Sequence, residues 1–367
     1  MRPHSPALSL LDNEVEISSP ALLLIGELVQ ANIARMLDLA GDPARLRPHV
    51  KTHKLGPLVR RQVEAGISKF KCSTIAEAEM VANAGGTDVL LAYPCVGPNP
   101  ARLCMLAAAF PHARFGTVAD ALDPVRTLGA AAQASGVTID VYVDLDCGMH
   151  RTGVAPDSRA AELFRVIEQT PALRAAGLHA YDGHIVDSDP TLRRATCEAA
   201  FEPVLALQRE LGARALIAGG SPTFPIHATH PDRELSPGTT VLWDFGYAEK
   251  FPDLPFEPAA VLLTRVVSKP SPNRLCLDLG HKAVAAESPP PRVHLLEIPD
   301  ALAVMHSEEH LVIETAHADE FAIGATLHGI PRHICPTVAL HGEAWWVEGG
   351  IARERWPIEA RARRLSV

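Results

Sequence analysis

The sequence lacks a C-x-x-C pair. Its seven cysteines (72, 95, 104, 147, 197, 276 and 335) are odd in number and scattered over 367 residues. That dispersal reads as reduced thiols of a cytoplasmic protein rather than a disulfide framework. There is no basic excess either: the formal charge is −9. Phosphate contacts need a positive surface, so nucleic-acid binding is not expected. No apolar run approaches the roughly 20 residues that span a bilayer, so no membrane role is expected. Met1–Pro20 has no useful hydrophobic stretch and several acids, and does not read as a signal peptide. Repeats and low-complexity linkers are absent as well. What remains is an ordinary globular composition, 47% hydrophobic and 21% charged, with a surplus of histidine at 17 residues.

Short apolar runs alternate with amphipathic stretches from about Arg45 to Trp243. The pattern predicts strands at Leu46–Lys51, Ile67–Cys72, Asp88–Ala92, Arg114–Val118, Ile139–Leu145, Gly177–Tyr181, Ala215–Ala218 and Thr239–Trp243. Helices are expected near 55–65, 74–84, 99–109, 120–135, 158–170 and 190–211. The second opens on Thr74-x-x-Glu77, a capping box. Eight βα units fit a (β/α)8 TIM barrel, and the glycine-rich first turn of a doubly wound sheet is missing. After Phe245 the helical period fades. Ala260–Val267, Arg274–Leu279, Arg292–Leu296 and Val338–Val347 read as strands of a C-terminal, mostly β domain. The expected division is a barrel over 20–245, with 1–19 and 246–367 forming the β domain. Ala21–Ile25 and a helix at 27–40 fit either.

Chemistry concentrates in Arg47-Pro48-His49-Val50-Lys51-Thr52-His53-Lys54. On a strand His49, Lys51 and His53 share a face, with Lys54 opposite. A lysine facing a barrel interior is desolvated, which makes its amine a nucleophile towards carbonyls. A solvated basic loop past the strand is the alternative. Asp144–Gly153, Gly177–His184, Gly219-Gly220-Ser221 and Ser236-Pro237-Gly238-Thr239 all fall near strand ends, where barrels keep their sites. The glycines and hydroxyls there can turn backbone N–H groups towards a phosphate, or serve as ordinary turns. In the β domain His333 and Cys335 stand two apart. On an extended segment both project to one side and could share a Zn²⁺ ion; a buried histidine and an inert core cysteine are the alternative.

In this order the motifs resemble the fold-type III pyridoxal-phosphate enzymes, with an alanine racemase-like N-terminal barrel. Within them, the chain is similar to the D-threonine aldolase and D-serine dehydratase group. The resemblance runs from Pro20-Ala21-Leu22 to Trp356-Pro357-Ile358. It rests on the lysine motif, Gly148-x-His150-Arg151-x-Gly153, Ala180-Tyr181-x-Gly183, Ser236-Pro237-Gly238, Ser307-Glu308-Glu309-His310 and His333-x-Cys335. It implies pyridoxal 5'-phosphate as cofactor, a divalent metal (Zn or Mn), a D-amino acid substrate and a homodimer. Lys51 matches the Schiff-base lysine, Arg151 the contact to the cofactor's phenolic oxygen, and Tyr181 the residue beside the pyridine ring. Gly219, Gly220, Ser221, Gly238 and Thr239 match the phosphate cradle, and His333 and Cys335 the metal pair. His184, just past the sixth strand, is the candidate base.

The activity so implied is retro-aldol cleavage of a D-3-hydroxy amino acid, such as D-threonine to glycine and acetaldehyde. Dehydration of D-serine or D-3-hydroxyaspartate by the same residues is the alternative. Aldolases of the group often carry His-x-Asp at the metal pair and the dehydratases His-x-Cys, as here. Tyr181-Asp182-Gly183-His184 and Trp243-Asp244-Phe245-Gly246-Tyr247 instead resemble the aldolase branch. A non-catalytic cofactor carrier and a cofactor-free metallohydrolase are the remaining readings.

Overall fold

Thr74 begins its helix as the sequence predicts: its hydroxyl accepts from the Glu77 N–H at 3.1 Å, and the helix runs Ile75–Asn83. The Glu77 carboxylate returns to the N–H of Ser73, one residue earlier than a capping box requires, at 2.6 Å. Similar agreement holds along the barrel, where helices occupy Gly56–Glu64, Asn99–Ala109, Leu122–Ser135, Ser158–Gln169 and Pro190–Leu211. The computed structural model describes residues 11–367, so the first half of Met1–Pro20, read as no leader, lies outside the described residues. Among the described residues, no helix is long and apolar enough to cross a membrane.

The chain divides into two compact units. One gathers the described residues up to Met36 with Thr52–Lys54 and Thr239–Arg361; the other holds Leu37–Lys51, Leu55–Gly238 and Ala362–Val367. Strand β1 (Ala21–Ile25) lies in the first. The second is built on seven parallel strands in sequence order: β2 (Lys69–Cys72), β3 (Asp88–Leu91), β4 (Arg114–Ala119), β5 (Ile139–Leu145), β6 (Leu173–Ala180), β7 (Ala215–Ala218) and β8 (Arg233–Leu235).

The ring closes through Leu46–His49. Arg47 N–H donates to Leu235 O and His49 N–H to Pro237 O, both at 2.8 Å, while Lys71 N–H donates to Pro48 O at 2.9 Å. Leu46 bridges Leu235 and His49 bridges Lys71, both parallel. The unit is thus a (β/α)8 barrel whose expected first strand, Leu46–Lys51, shrinks to isolated bridges. Pro48 has no N–H for a continuous ladder, and Val50–Thr52 winds into a 3-10 turn. His49, Lys51 and His53 therefore do not share a strand face. The expected last strand also moves. Thr239–Val241 is a 3-10 turn, and the strand is the preceding Arg233–Leu235, whose charged residues gave no apolar signal.

Those charges belong to the barrel's N-terminal end. Arg47, 1% exposed, donates to Asp88 at 2.6 Å and to Glu234 at 2.8 Å, and Lys69 reaches the same Glu234 at 2.7 Å. Burial works against the guanidinium, but the two carboxylates keep it firmly charged. Removing it takes the fully buried partner from both acids, leaving Asp88 to Arg114 and Glu234 to Lys69. Arg47→Met is expected to destabilise the protein by about 3–5 kcal/mol, measured by urea denaturation. Above this layer Leu90, Val118, Tyr142 and Ile217 pack as a core cluster.

The β unit is a nine-stranded sheet. Its strands are β1 together with β9 (Ala260–Ser271), β10 (Arg274–Leu277), β11 (Val293–Leu295), β12 (Leu302–His306), β13 (Leu311–Glu314), β14 (Thr326–Pro331), β15 (Glu343–Glu348) and β16 (Ile351–Pro357). The main path runs β12-β13-β10-β9-β1-β15-β16, with β14 bonded to β9 and β11. β1 pairs antiparallel with β9 and parallel with β15, which settles its place in this unit. The strand expected over Val338–Val347 divides: Ile334–Leu340 is a helix and only Glu343–Glu348 is extended. Pro336 sits in the first helical turn, where it costs no hydrogen bond.

Candidate active site

β5 and β6 deliver a run of side chains at their C-terminal ends. A cavity there is lined by Lys51, Lys71, Asp144, Arg151, His179 and Tyr181, among others. The Tyr181 ring is its centre. Lys51 Nζ lies 5.6 Å from the ring centroid, Lys71 Nζ 5.5 Å and Arg151 Cζ 5.2 Å, so three cations surround one aromatic face or edge. The ring packs on Gly183, where any Cβ would come within 2.4 Å of it. Lys51 is half-buried at the 3-10 turn, and its N–H donates to His49 Nδ1 at 3.2 Å.

Beside the ring runs a polar chain, exposed at Thr152 and buried at Asp144, His179 and Lys71. The Thr152 hydroxyl donates to Asp144 at 2.9 Å, and the other Asp144 oxygen accepts from His179 Nδ1 at 2.7 Å. Nδ1 therefore carries the proton, leaving the Nε2 lone pair to face Lys71 Nζ at 3.4 Å. Burial pulls the Lys71 ammonium down to about 7, and the Lys51 charge pushes the same way. Burial and Lys71 likewise lower His179, against the pull of Asp144.

Gly219, Gly220 and Ser221 follow β7, and the Gly238 N–H donates to the Ser221 hydroxyl at 3.1 Å. Gly219 has φ +82°, and a Cβ there would meet His227 at 2.4 Å. The turn is braced from below. Asp182 accepts from Thr223 at 2.9 Å and from His227 Nε2 at 2.8 Å; Arg233 donates to His227 Nδ1 at 2.8 Å. Burial alone would raise Asp182, but these donors hold it below the usual carboxylate range. Asp182, Cys197 and His227 also place one ligand atom each within 4.8 Å of one another, a spacing at which a metal could be held. With Arg233 donating to Nδ1, however, Nε2 bears the hydrogen that Asp182 accepts.

Thr239, expected with the cradle, opens the β unit, where its hydroxyl lies 3.7 Å from Cys335 Sγ. His184 is exposed on the loop after β6, against Gly148, and does not line the cavity. His333 and Cys335 come together by a different route from the extended one expected. His333 is the extended N-cap residue, and Cys335 lies in the first turn of the helix it starts. Asp244 accepts the Ile334 N–H at 3.1 Å and so anchors that turn. His333 Nδ1 is 2.6 Å from Glu287, and Cys335 Sγ is 3.2 Å from the Thr52 hydroxyl. Burial pulls the imidazole down, but its bonds to Cys335 and Glu287 win and lift it to about 9. Burial raises the thiol, but His333 brings it below its ordinary value. An imidazole held by a carboxylate beside an acidified thiol is a donor set suited to a borderline metal.

The residues fit pyridoxal phosphate: an amine at Lys51 and an aromatic wall at Tyr181 line the cavity, and the glycine turn lies against the same ring, where a Cβ on Gly220 would come within 3.1 Å of Tyr181. The sequence reading gave Asp144 and His179 no role and missed Lys71. In Lys69-Phe70-Lys71-Cys72 the strand period puts both lysines on one face, which was the available signal.

Comparison with known proteins agrees. Residues 27–243 match the family model "Alanine racemase, N-terminal domain", and 259–347 match "Putative serine dehydratase domain". The chain is 30% identical to a D-threonine aldolase of Arthrobacter sp, over 95% of this chain and 94% of that one. It is 29% identical to a 3-hydroxy-D-aspartate aldolase of Paracoccus denitrificans, over 98% and 95%. A solved D-threonine aldolase from Filomicrobium marinum superposes with a TM-score of 0.87 at 30% identity, covering 96% and 98%. The chain belongs to the alanine racemase-like pyridoxal-phosphate family, in its D-threonine aldolase and D-serine dehydratase group.

Proposed function

We propose that this enzyme is a carbon–carbon lyase that cleaves D-3-hydroxy amino acids, with D-threonine giving glycine and acetaldehyde. The observation that carries the reading is Lys51 at the mouth of the barrel, facing Tyr181 beside Arg151. Lys51 offers the amine for covalent attachment, Arg151 the contact to the phenolic oxygen, and Tyr181 the wall beside the ring. Gly219, Gly220, Ser221, Gly238 and Thr239 hold the phosphate. Bound there, pyridoxal phosphate would supply an electron sink, and a divalent metal on His333 and Cys335 a Lewis acid for the β-hydroxyl. His184 takes the hydroxyl proton, the Cα–Cβ bond breaks, and Lys51 returns a proton to Cα. The small D-amino acid is the only partner this chemistry needs besides a second copy of the chain. β12 exposes Leu302 and Met305 at 65% and 61%, apolar surface suited to a homodimer. All seven cysteines are free thiols, in keeping with a reducing cytoplasm.

Dehydration of D-serine or D-3-hydroxyaspartate is the second reading, favoured by the thiol at Cys335. Product analysis separates them. Glycine and aldehyde from D-threonine are expected; pyruvate and ammonia from D-serine, without cleavage of D-threonine, would overturn the aldolase assignment.

A further inference from the structure

Lys71 is the group this mechanism leaves unused. It is 2% exposed and yet lines the cavity. Among the described residues, its amine has one hydrogen-bond partner, His179 Nε2 at 3.4 Å, and no carboxylate within 4.0 Å. An ammonium has three N–H donors. Lysine is almost never buried without partners, because desolvating unsatisfied donors is costly. The neighbours are arranged around this amine. Thr152 and Asp144 fix the His179 tautomer, which presents a lone pair to Lys71 and holds the side chain towards Tyr181. The charged and titratable groups around it are Lys51, Arg47, Asp144, Asp182, His179 and Tyr181. Asp144 is engaged by Thr152 and His179, and Asp182 by Thr223 and His227, so neither carboxylate is spare. The remaining donors need a ligand acceptor.

We propose that Lys71 is a second cofactor-binding lysine, which donates to a polar acceptor of the pyridoxal ring while Lys51 carries the covalent link. Lys51 and Lys71 stand at nearly equal distances, 5.6 and 5.5 Å, from the Tyr181 ring centroid. A flat ring tethered to one amine and lying along Tyr181 is within reach of the other. Burial and the Lys51 charge both work against an uncompensated ammonium here, which an acceptor on the ring would relieve. Asp144 and His179 are positioning residues that act through Lys71.

The inference rests on the proposed cofactor site, and the experiment separates the two. Apoprotein of wild type, Lys71→Met and Lys71→Arg is titrated with pyridoxal phosphate while affinity and the visible absorption maximum are recorded, with far-UV circular dichroism as the folding control. Lys71→Met is expected to weaken binding roughly 10- to 100-fold, the worth of a hydrogen bond to a charged or polarised group. It should also shift the band, with Lys71→Arg recovering part of both. A Lys71→Met protein with wild-type affinity and spectrum overturns the role of Lys71 and leaves the cofactor site standing. A wild type that binds no pyridoxal phosphate overturns both. If Lys71→Met does not fold, His179→Asn carries the same test: it keeps a polar side chain but removes the lone pair that orients Lys71, so an unmoved band there again refutes the proposal.

Discussion

Lys51→Ala is expected to lose covalent retention of pyridoxal phosphate and to lower turnover on the order of 10³-fold or more, the scale seen when a nucleophile is removed from a concerted site. Lys54→Ala is expected to keep both. The two residues are three apart in a basic run that a sequence reading separates only by strand parity. The fold separates them more decisively. Lys51 ends the barrel segment and lines the cavity, whereas Lys54 belongs to the β unit with a φ of +55°. The measurement is the near-visible spectrum before and after borohydride, followed by peptide mapping of the reduced adduct. Two amines near Tyr181 make the mapping informative. An adduct on Lys51 in the wild type, absent from the variant, supports the assignment. An adduct that persists in Lys51→Ala refutes it, and its position would show whether Lys71 had captured the aldehyde.

Why could so much of the barrel be read from the chain, and the floor of its site not? Ile139–Leu145 and Ala215–Ala218 are strands at the residues expected, because they are buried apolar runs bounded by polar turns. The failures share a cause. At Leu46–Lys51, proline interrupts the ladder and a tight turn replaces the last residues. At the eighth strand, the barrel accepts Glu234, whose charge is matched far away in sequence by Arg47 and Lys69, and Arg233, which donates to His227 in the short helix just before the strand. No local pattern reports such pairing. The same holds for Lys71, His179 and Asp144. Each looks like a polar residue that weakens a strand; the β5–β6 register pairs Asp144 with His179, and the closed ring brings Lys71 to them. Motif order singled out Lys51, Arg151 and Tyr181, which the fold brings to one cavity, because their positions are local to strand ends. It also singled out His333 and Cys335, although by an extended geometry that the helix at Ile334–Leu340 replaces. His184, proposed as the base, sits on the exposed loop after β6, outside the cavity lining.

Chelation is expected to lower activity at least about 100-fold, the loss of a Lewis acid worth several kcal/mol, while the cofactor's visible band persists. The reason is separation of the ligand sets. The cofactor residues of the barrel unit are not the residues that would hold the metal, and Glu287 and Thr52, which support His333 and Cys335, are not among them either; Thr239, assigned to the phosphate, lies 3.7 Å from Cys335 Sγ but is not a proposed metal ligand. His333→Ala should reproduce the chelated state and resist rescue, whereas wild type should regain activity with Zn²⁺ or Mn²⁺. The thiolate favours zinc. Metal content of the variant decides between two clusters. If His333→Ala binds no metal, the pair in the β unit is the site. If it retains one equivalent, the ion belongs with Asp182, Cys197 and His227, where it would have to displace the hydrogen bond between His227 Nε2 and Asp182. Loss of the visible band together with activity would instead make His333 and Cys335 structural. Because Ile334 N–H is anchored on Asp244 independently of the imidazole, that collapse is not expected from His333→Ala.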